Sequence, residues 1–148
     1  METRPSSIDG LGLFALRSFS AGERLAPYSG PTTQRPPAQT DGTVFTLELR
    51  PGLWIDGSGS DNPARSANHS CHPNAALIWD ERDATAWLTA QEDIPAGSEV
   101  TFDYGFSLAD AVAHPCRCGS PDCAGRIVAA PLRPALRRHL RTQGARRD

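Results

Sequence analysis

The alternation of apolar and polar positions along this chain changes every few residues, and it predicts short strands rather than long helices. Leu11 to Arg17 alternates with the period of a strand, a turn is expected at Ala21-Gly22, and Arg24 to Ser29 reads as a second strand, giving a hairpin-like opening. Residues 30–42, rich in Pro, Thr and Gln, read as a surface loop. Thr43 to Leu49 and Leu53 to Asp56 read as strands, followed by a Gly- and Ser-containing loop from Asp56 to Asn62. Ala75 to Trp79 and Ala84 to Thr89 are expected to pair across the polar turn Asp80 to Asp83, and Ser98 to Phe102 makes one more strand. Ser107 to Ala113 has room for one or two helical turns. Further on, Pro134 suits a first helical position, and Leu136 and Leu140 share one face of a short amphipathic helix beside Arg137, Arg138 and Arg141. The segment from Phe19 to Leu25 is echoed by Ile94 to Val100, which reads as the same turn leading into a strand rather than as a duplication.

Composition narrows the class. At 148 residues the chain is expected to form one compact domain, and 13 Gly with 13 Pro are more punctuation than a helical bundle tolerates. All 15 basic residues are Arg, so mechanisms that need a Lys in the chain, those of phosphate-loop NTPases, protein kinases and Schiff-base enzymes, are excluded. No apolar run approaches the roughly 18 residues that span a bilayer, and the opening residues do not resemble a signal peptide, so a soluble intracellular protein is expected. Residues 131–148 carry six Arg against one Asp, leaving nine Arg against sixteen acids in residues 1–130. An acidic body attracts a basic partner and repels nucleic acid; contact of the Arg-rich tail with nucleic acid is the lesser reading, since an Arg face on a helix is ordinarily solvated.

Chemistry concentrates in three places. Cys116-Arg-Cys118-Gly-Ser-Pro-Asp-Cys123 is a C-x-C-x4-C cluster whose Gly and Pro let the backbone fold three sulfurs around one point, and Cys71 is the remaining cysteine for the fourth corner of a zinc tetrahedron. The competing readings are two disulfides or free core thiols; the close spacing of Cys116 and Cys118 and an intracellular setting favour zinc. Gly10-Leu11-Gly12-Leu13-Phe14-Ala15 has the bare form of a dinucleotide fingerprint but lacks the preceding strand and following helix, and it reads as a Gly turn before a strand that lets a ligand approach the backbone. Asn68-His69-Ser70-Cys71-His72-Pro73-Asn74 crowds polar side chains between strands, with His69 and His72 more readily hydrogen-bonding residues than metal ligands. Asp103 is a possible general base without a partner carboxylate or a Ser-His pair, which gives hydrolysis little support.

Taken in order, Gly10-Leu11-Gly12, Tyr28-Ser29-Gly30, the run from Asn62 to Cys71 with Arg65, Asn68, His69 and Ser70, the run from Glu99 through Phe102 and Asp103 to Tyr104, and the closing Cys116 to Cys123 cluster resemble the SET-domain protein lysine methyltransferases that carry a post-SET zinc loop. The resemblance runs from about residue 8 to residue 128, with no pre-SET segment expected ahead of it. It implies a mainly β, β-clip-like SET fold of several short sheets, with a knot-like threading where the Asn68 and Tyr104 segments meet and a short C-terminal helix. The implied division is a SET domain at residues 1–114, a post-SET zinc loop at 115–130 and an Arg-rich helix or tail at 131–148.

The same resemblance implies S-adenosylmethionine as cofactor, contacted by Gly10, Leu11, Gly12, Arg65, Asn68 and His69, and zinc held by Cys71, Cys116, Cys118 and Cys123. Tyr104 corresponds to the catalytic tyrosine, and Tyr28 and Phe102 to walls of the lysine channel, Phe102 at a position that sets how many methyls are added. The implied substrate is a lysine-containing basic protein or peptide, a histone or a ribosomal protein. Two departures touch this pattern: Ser66 and Ala67 replace a bulky pair before Asn68, and Pro31 follows Gly30 where Glu is common. A catalytically idle, zinc-stabilised binding module is the alternative; the presence of Tyr104, Asn68 and His69 favours the enzyme.

Overall fold

The computed structural model describes residues 1–35 and 45–144. The chain divides into two compact units, one built from residues 1–68 and 73–102, the other from residues 69–72 and 103–148. Among the described residues no helix is long and apolar enough to cross a membrane.

The first unit is all β. β1 (Glu2–Pro5) and β2 (Leu11–Phe14) form an antiparallel hairpin, and β2 also pairs with β10 (Glu99–Phe102), beyond which lies the two-residue β7 (Asn68–His69), whose Asn68 belongs to this unit. β3 (Arg24–Tyr28), β9 (Thr85–Ala90) and β8 (Ala75–Asp80) form a second sheet in that order. β4 (Thr32–Thr33), β6 (Leu53–Asp56) and β5 (Thr46–Arg50) form the third. β9 shows why these segments become strands: Ala86, Leu88 and Ala90 are buried while Thr85, Trp87 and Thr89 are half-buried, a period-two split that only an extended chain at the centre of a sheet satisfies. Leu13, Leu88, Ile94 and Val100 are its largest fully buried side chains.

The expected pairing of Ala75 to Trp79 with Ala84 to Thr89 is found, as β8 against β9 from Ala75↔Ala90 to Asp80↔Thr85. β6 coincides with Leu53 to Asp56, β10 takes the expected Ser98 to Phe102 strand from Glu99 onward, and β5 takes Thr46 to Leu49 of the Thr43 to Leu49 strand, leaving Phe45 outside it. Thr43, Val44 and most of the Pro-rich loop lie outside the described residues.

The hairpin-like opening of Leu11 to Arg17 with Arg24 to Ser29 is corrected. β2 ends at Phe14 and pairs with β1 and β10, whereas β3 pairs with β9 in another sheet. The intervening residues are occupied elsewhere: Ala15 exchanges backbone hydrogen bonds with Gly97 and Ser98, and Phe19 with Ile94 in both directions at 2.9 Å. Phe19 and Ile94 open the two echoed segments, so the repeated turns meet head to head. Gly22 and Gly97 adopt the same left-handed conformation, φ 86° and 85°, which is the shared turn chemistry in physical terms. β1 gave no periodic signal because all four of its residues are exposed on a sheet edge.

The second unit is mainly loop. Ser107 caps α1 (Leu108–Ala111), accepting from the Asp110 amide, which places the expected helical turn. A 3-10 turn (Ala130–Leu132) leads into α2 (Arg133–Gly144), so Pro134 occupies the second helical position. Of its apolar stripe, Leu136 is buried and Leu140 is 40% exposed. The core of this unit is Cys71, Ala111, Ala124, Val128 and Leu136, with the other three cysteines and Leu132 against it. So few, mostly small, apolar side chains leave the unit dependent on an additional cross-link.

Gly57 stands directly behind the Tyr28 ring, which a β-carbon at that position would strike. Gly57→Ala is therefore expected to cost about 1–3 kcal/mol in urea unfolding, the usual penalty of overpacking; unchanged stability would show that the Tyr28 ring is free to give way.

Candidate functional site

In the first unit, two buried asparagines and one half-buried asparagine do the organising. The Asn68 side-chain amide lies within hydrogen-bond distance of the Asp9 carbonyl at 3.2 Å, the Leu11 carbonyl at 3.1 Å and Glu99 Oε1 at 2.8 Å. It thereby ties the Gly10-Leu11-Gly12 turn to β10. Gly10 takes a left-handed φ of 42°, which favours glycine, and a β-carbon at Gly12 would displace the Glu99 carboxylate from its place beside Asn68. Asn62 works similarly: Oδ1 accepts from the Ser29 and Ala64 amides and Nδ2 donates to the Gly57 carbonyl, fixing the turn that follows Tyr28. Asn74 donates to the Glu99 carbonyl and accepts from the Thr101 amide.

Tyr28 and Phe102, the two expected channel walls, stand edge to face with ring centroids 6.4 Å apart, both buried. The Tyr28 hydroxyl donates to the Phe45 carbonyl at 2.7 Å, so this tyrosine presents its ring. Arg65 is exposed, with its guanidinium 4.6 Å from the centroid of the Phe45 ring. Leu11 is also exposed, 56% of its surface open, and Ser66 and Ala67 sit half-buried and buried just before Asn68.

The second unit brings together His69, Tyr104 and the four cysteines. The His69 and Tyr104 rings are 5.5 Å apart in a T-shaped arrangement, and the Tyr104 amide donates to His69 Nδ1 at 3.3 Å. An Nδ1 that accepts leaves the imidazole proton on Nε2, which faces Cys71 Sγ at 3.6 Å. Burial pushes the His69 pKa down to about 4; Asp103 opposes the shift and Arg133 adds to it. His69 is thus neutral near pH 7, and its 3.7 Å approach to Asp103 is not an ion pair there.

Asp103 is no general base in waiting. Its Oδ2 accepts from the Ala130 amide at 2.9 Å and from Arg133 at 3.0 Å, and its Oδ1 from the Gly105 amide at 3.0 Å. His72 does not join the metal-ligand cluster.

The sulfurs of Cys71, Cys116, Cys118 and Cys123 all lie within 4.8 Å of one another, and none forms a disulfide. Cys71 Sγ and Cys116 Sγ are 3.8 Å apart. A tetrahedron with sulfurs about 2.3 Å from its centre has edges of about 3.8 Å, so the set fits zinc and is too open for disulfide pairing. Amides point at the sulfurs: Cys71 to Cys118 at 3.4 Å, Ala124 to Cys71 at 3.5 Å and Gly125 to Cys123 at 3.4 Å. Such donors favour thiolates. The thiols titrate unequally, since burial raises Cys71 and Cys116, whereas at Cys118 the Cys71 amide and the Ser120 hydroxyl outweigh burial and bring the pKa to about 6. Four thiolates this close are mutually repulsive without a cation, and a dication at the centre removes that repulsion.

With this geometry in view, comparison with known proteins fixes the class. Residues 10–105 match the SET domain. A histone-lysine N-methyltransferase, H3 lysine-4 specific, from Schizosaccharomyces pombe is 32% identical over 83% of this chain and 14% of its own length. The histone-lysine N-methyltransferase ash1 of Drosophila melanogaster is 40% identical over 56% of this chain and 4% of its own length. Among solved structures, KRYPTONITE in complex with mCHH DNA, an H3(1-15) peptide and SAH aligns with a TM-score of 0.68 and 28% identity, over 85% of this chain and 29% of that one. The chain belongs to the SET domain family, and it spans only a small part of the length of the curated relatives it matches.

Sequence reasoning missed Asn62, Asn74, Glu99 as an anchor, and Arg133. Asn62 and Asn74 flank runs of chemistry-bearing residues and could have been found there; Arg133 is hidden among the tail arginines.

Elemental analysis of the purified chain is expected to find one zinc ion bound. Cys118→Ser should lose most of that metal and lower the unfolding midpoint, while a variant retaining a full complement would contradict the four-sulfur site.

Proposed function

We propose that this chain is an S-adenosylmethionine-dependent protein lysine N-methyltransferase acting on a basic protein, with a histone as the first candidate and a ribosomal protein as another. The observation that carries this reading is the SET domain match across residues 10–105. Its supports are relatives named as histone-lysine N-methyltransferases and a structural neighbour holding SAH with an H3 peptide. In this reading residues 1–114 form the SET domain, 115–130 the post-SET zinc loop and 131–148 the Arg-rich helix and tail.

When bound, the cofactor supplies a methyl group on a positively charged sulfonium. Gly10, Leu11 and Gly12 hold it through their backbone, which the lack of a β-carbon at Gly10 leaves open to close approach, while Arg65, Asn68 and His69 hold its sugar and adenine. Tyr104 orients the lysine amine with its hydroxyl and ring, and Tyr28 and Phe102 wall the lysine channel and exclude water. An apolar channel disfavours the ammonium form of lysine, whose ordinary pKa is about 10.4, and so favours the neutral amine that attacks. Phe102 places no hydroxyl at its position, which leaves room for the bulkier di- and trimethylated amines. Cys71, Cys116, Cys118 and Cys123 would hold zinc, which would tie the post-SET loop together and take no part in the transfer.

The test is incubation with radiolabelled cofactor and core histones or a basic peptide array. The wild-type chain should transfer label to lysine, and Tyr104→Phe should lower the rate by about a hundredfold, a loss typical of a misaligned in-line displacement; transfer by neither protein would count against the reading. Phe102→Tyr is expected to shift the products toward monomethyl-lysine by mass spectrometry, and an unchanged distribution would refute the role given to Phe102.

A further inference from the structure

Among the described arginines of the tail, Arg133, the first residue of α2, differs from Arg137, Arg138 and Arg141, which are exposed. Its side chain is only 13% exposed. One terminal nitrogen donates to the Cys71 carbonyl at 2.5 Å and the other to Asp103 Oδ2 at 3.0 Å, while its buried Nε has no hydrogen-bond partner. A buried guanidinium with an unsatisfied nitrogen costs folding free energy unless its charge is matched, and Asp103 is the carboxylate that matches it.

Asp103 in turn governs the backbone of its neighbour. With Oδ2 held by Arg133 and the Ala130 amide, its Oδ1 accepts from the Gly105 amide, bracketing Tyr104. On its N-terminal side Tyr104 is held by His69 through its own amide. The backbone that carries the Tyr104 ring is therefore tied to a chain of contacts that starts at Arg133, while the ring itself stands against His69 and Phe106, at centroid distances of 5.5 and 5.6 Å. The same guanidinium grips the carbonyl of Cys71, one of the four clustered thiols. Arg133 lies beyond the residues that match the SET domain.

We propose that Arg133 is a positioning residue: by bridging the Asp103 carboxylate and the Cys71 carbonyl, it makes the C-terminal helix set the orientation of Tyr104. The proposal rests on the methyltransferase reading for its kinetic consequence but not for its structural one. Arg is suited to the task because its planar fork donates to two acceptors in fixed directions, which a Lys ammonium reproduces only in part.

The chain contains two tyrosines, so 3-fluorotyrosine labelling yields two 19F resonances, assigned with Tyr28→Phe. In zinc-loaded protein, Arg133→Gln and Asp103→Asn are expected to shift or split the Tyr104 resonance, leave that of Tyr28 in place and retain the metal. In methyl transfer the same variants should lower kcat roughly tenfold to a hundredfold with KM for the cofactor changed less than about threefold, as expected when alignment alone is lost. Arg133→Lys should recover part of the loss, and the double variant should be no worse than the more damaging single one, because both act through one contact. An unmoved Tyr104 resonance, or equal disturbance of both tyrosines with loss of zinc in Arg133→Lys as well as Arg133→Gln, would overturn the proposal. If wild-type protein transfers no methyl group, the activity reading fails while the fluorine spectra still decide the role of Arg133.

Discussion

The second unit of this protein depends on the convergence of four thiols on one point. Its apolar core, Cys71, Ala111, Ala124, Val128 and Leu136, is too small to order a loop-dominated chain, and the cysteines are themselves part of that core. Gathering sulfurs without a cation is unfavourable: burial resists ionisation and ionised sulfurs repel one another. A tetrahedral dication reverses both terms, and it converts metal affinity into folding stability. The amides aimed at the sulfurs, together with neutral His69 beside Cys71, form an outer layer that stabilises the charged ligands.

The first unit solves a different problem. Its strands are two to six residues long, so backbone ladders alone cannot hold its turns in place. Asparagine side chains supply the missing bonds, because one amide can donate and accept at once and so mimics a backbone peptide. Asn68, Asn62 and Asn74 serve respectively the glycine turn, the turn after Tyr28 and the edge of β10.

The acidic residue next to Tyr104 illustrates how a reactive group can be spent on architecture. Asp103 accepts from two backbone amides and a guanidinium, which leaves its carboxylate engaged on both oxygens. A group so engaged holds a loop rather than moving protons, in keeping with the proposed displacement, which needs alignment and exclusion of water more than proton transfer.

The sequence by itself determined the strand segments with strong alternation, such as β8 and β9, because period-two burial is a local property that a few residues reveal. It singled out by count and spacing the four cysteines whose sulfurs the structure gathers at one point, and the order of its motifs pointed to the family that the SET domain match bears out. What only the tertiary structure decided was which strands share a sheet, as when β2 and β3 part company, the existence of the exposed edge strand β1, and the separate fate of Arg133 among the four described arginines of the tail. These depend on partners dozens of residues away, and a side chain's burial or charge pairing is set by what the fold brings beside it, which no local pattern encodes.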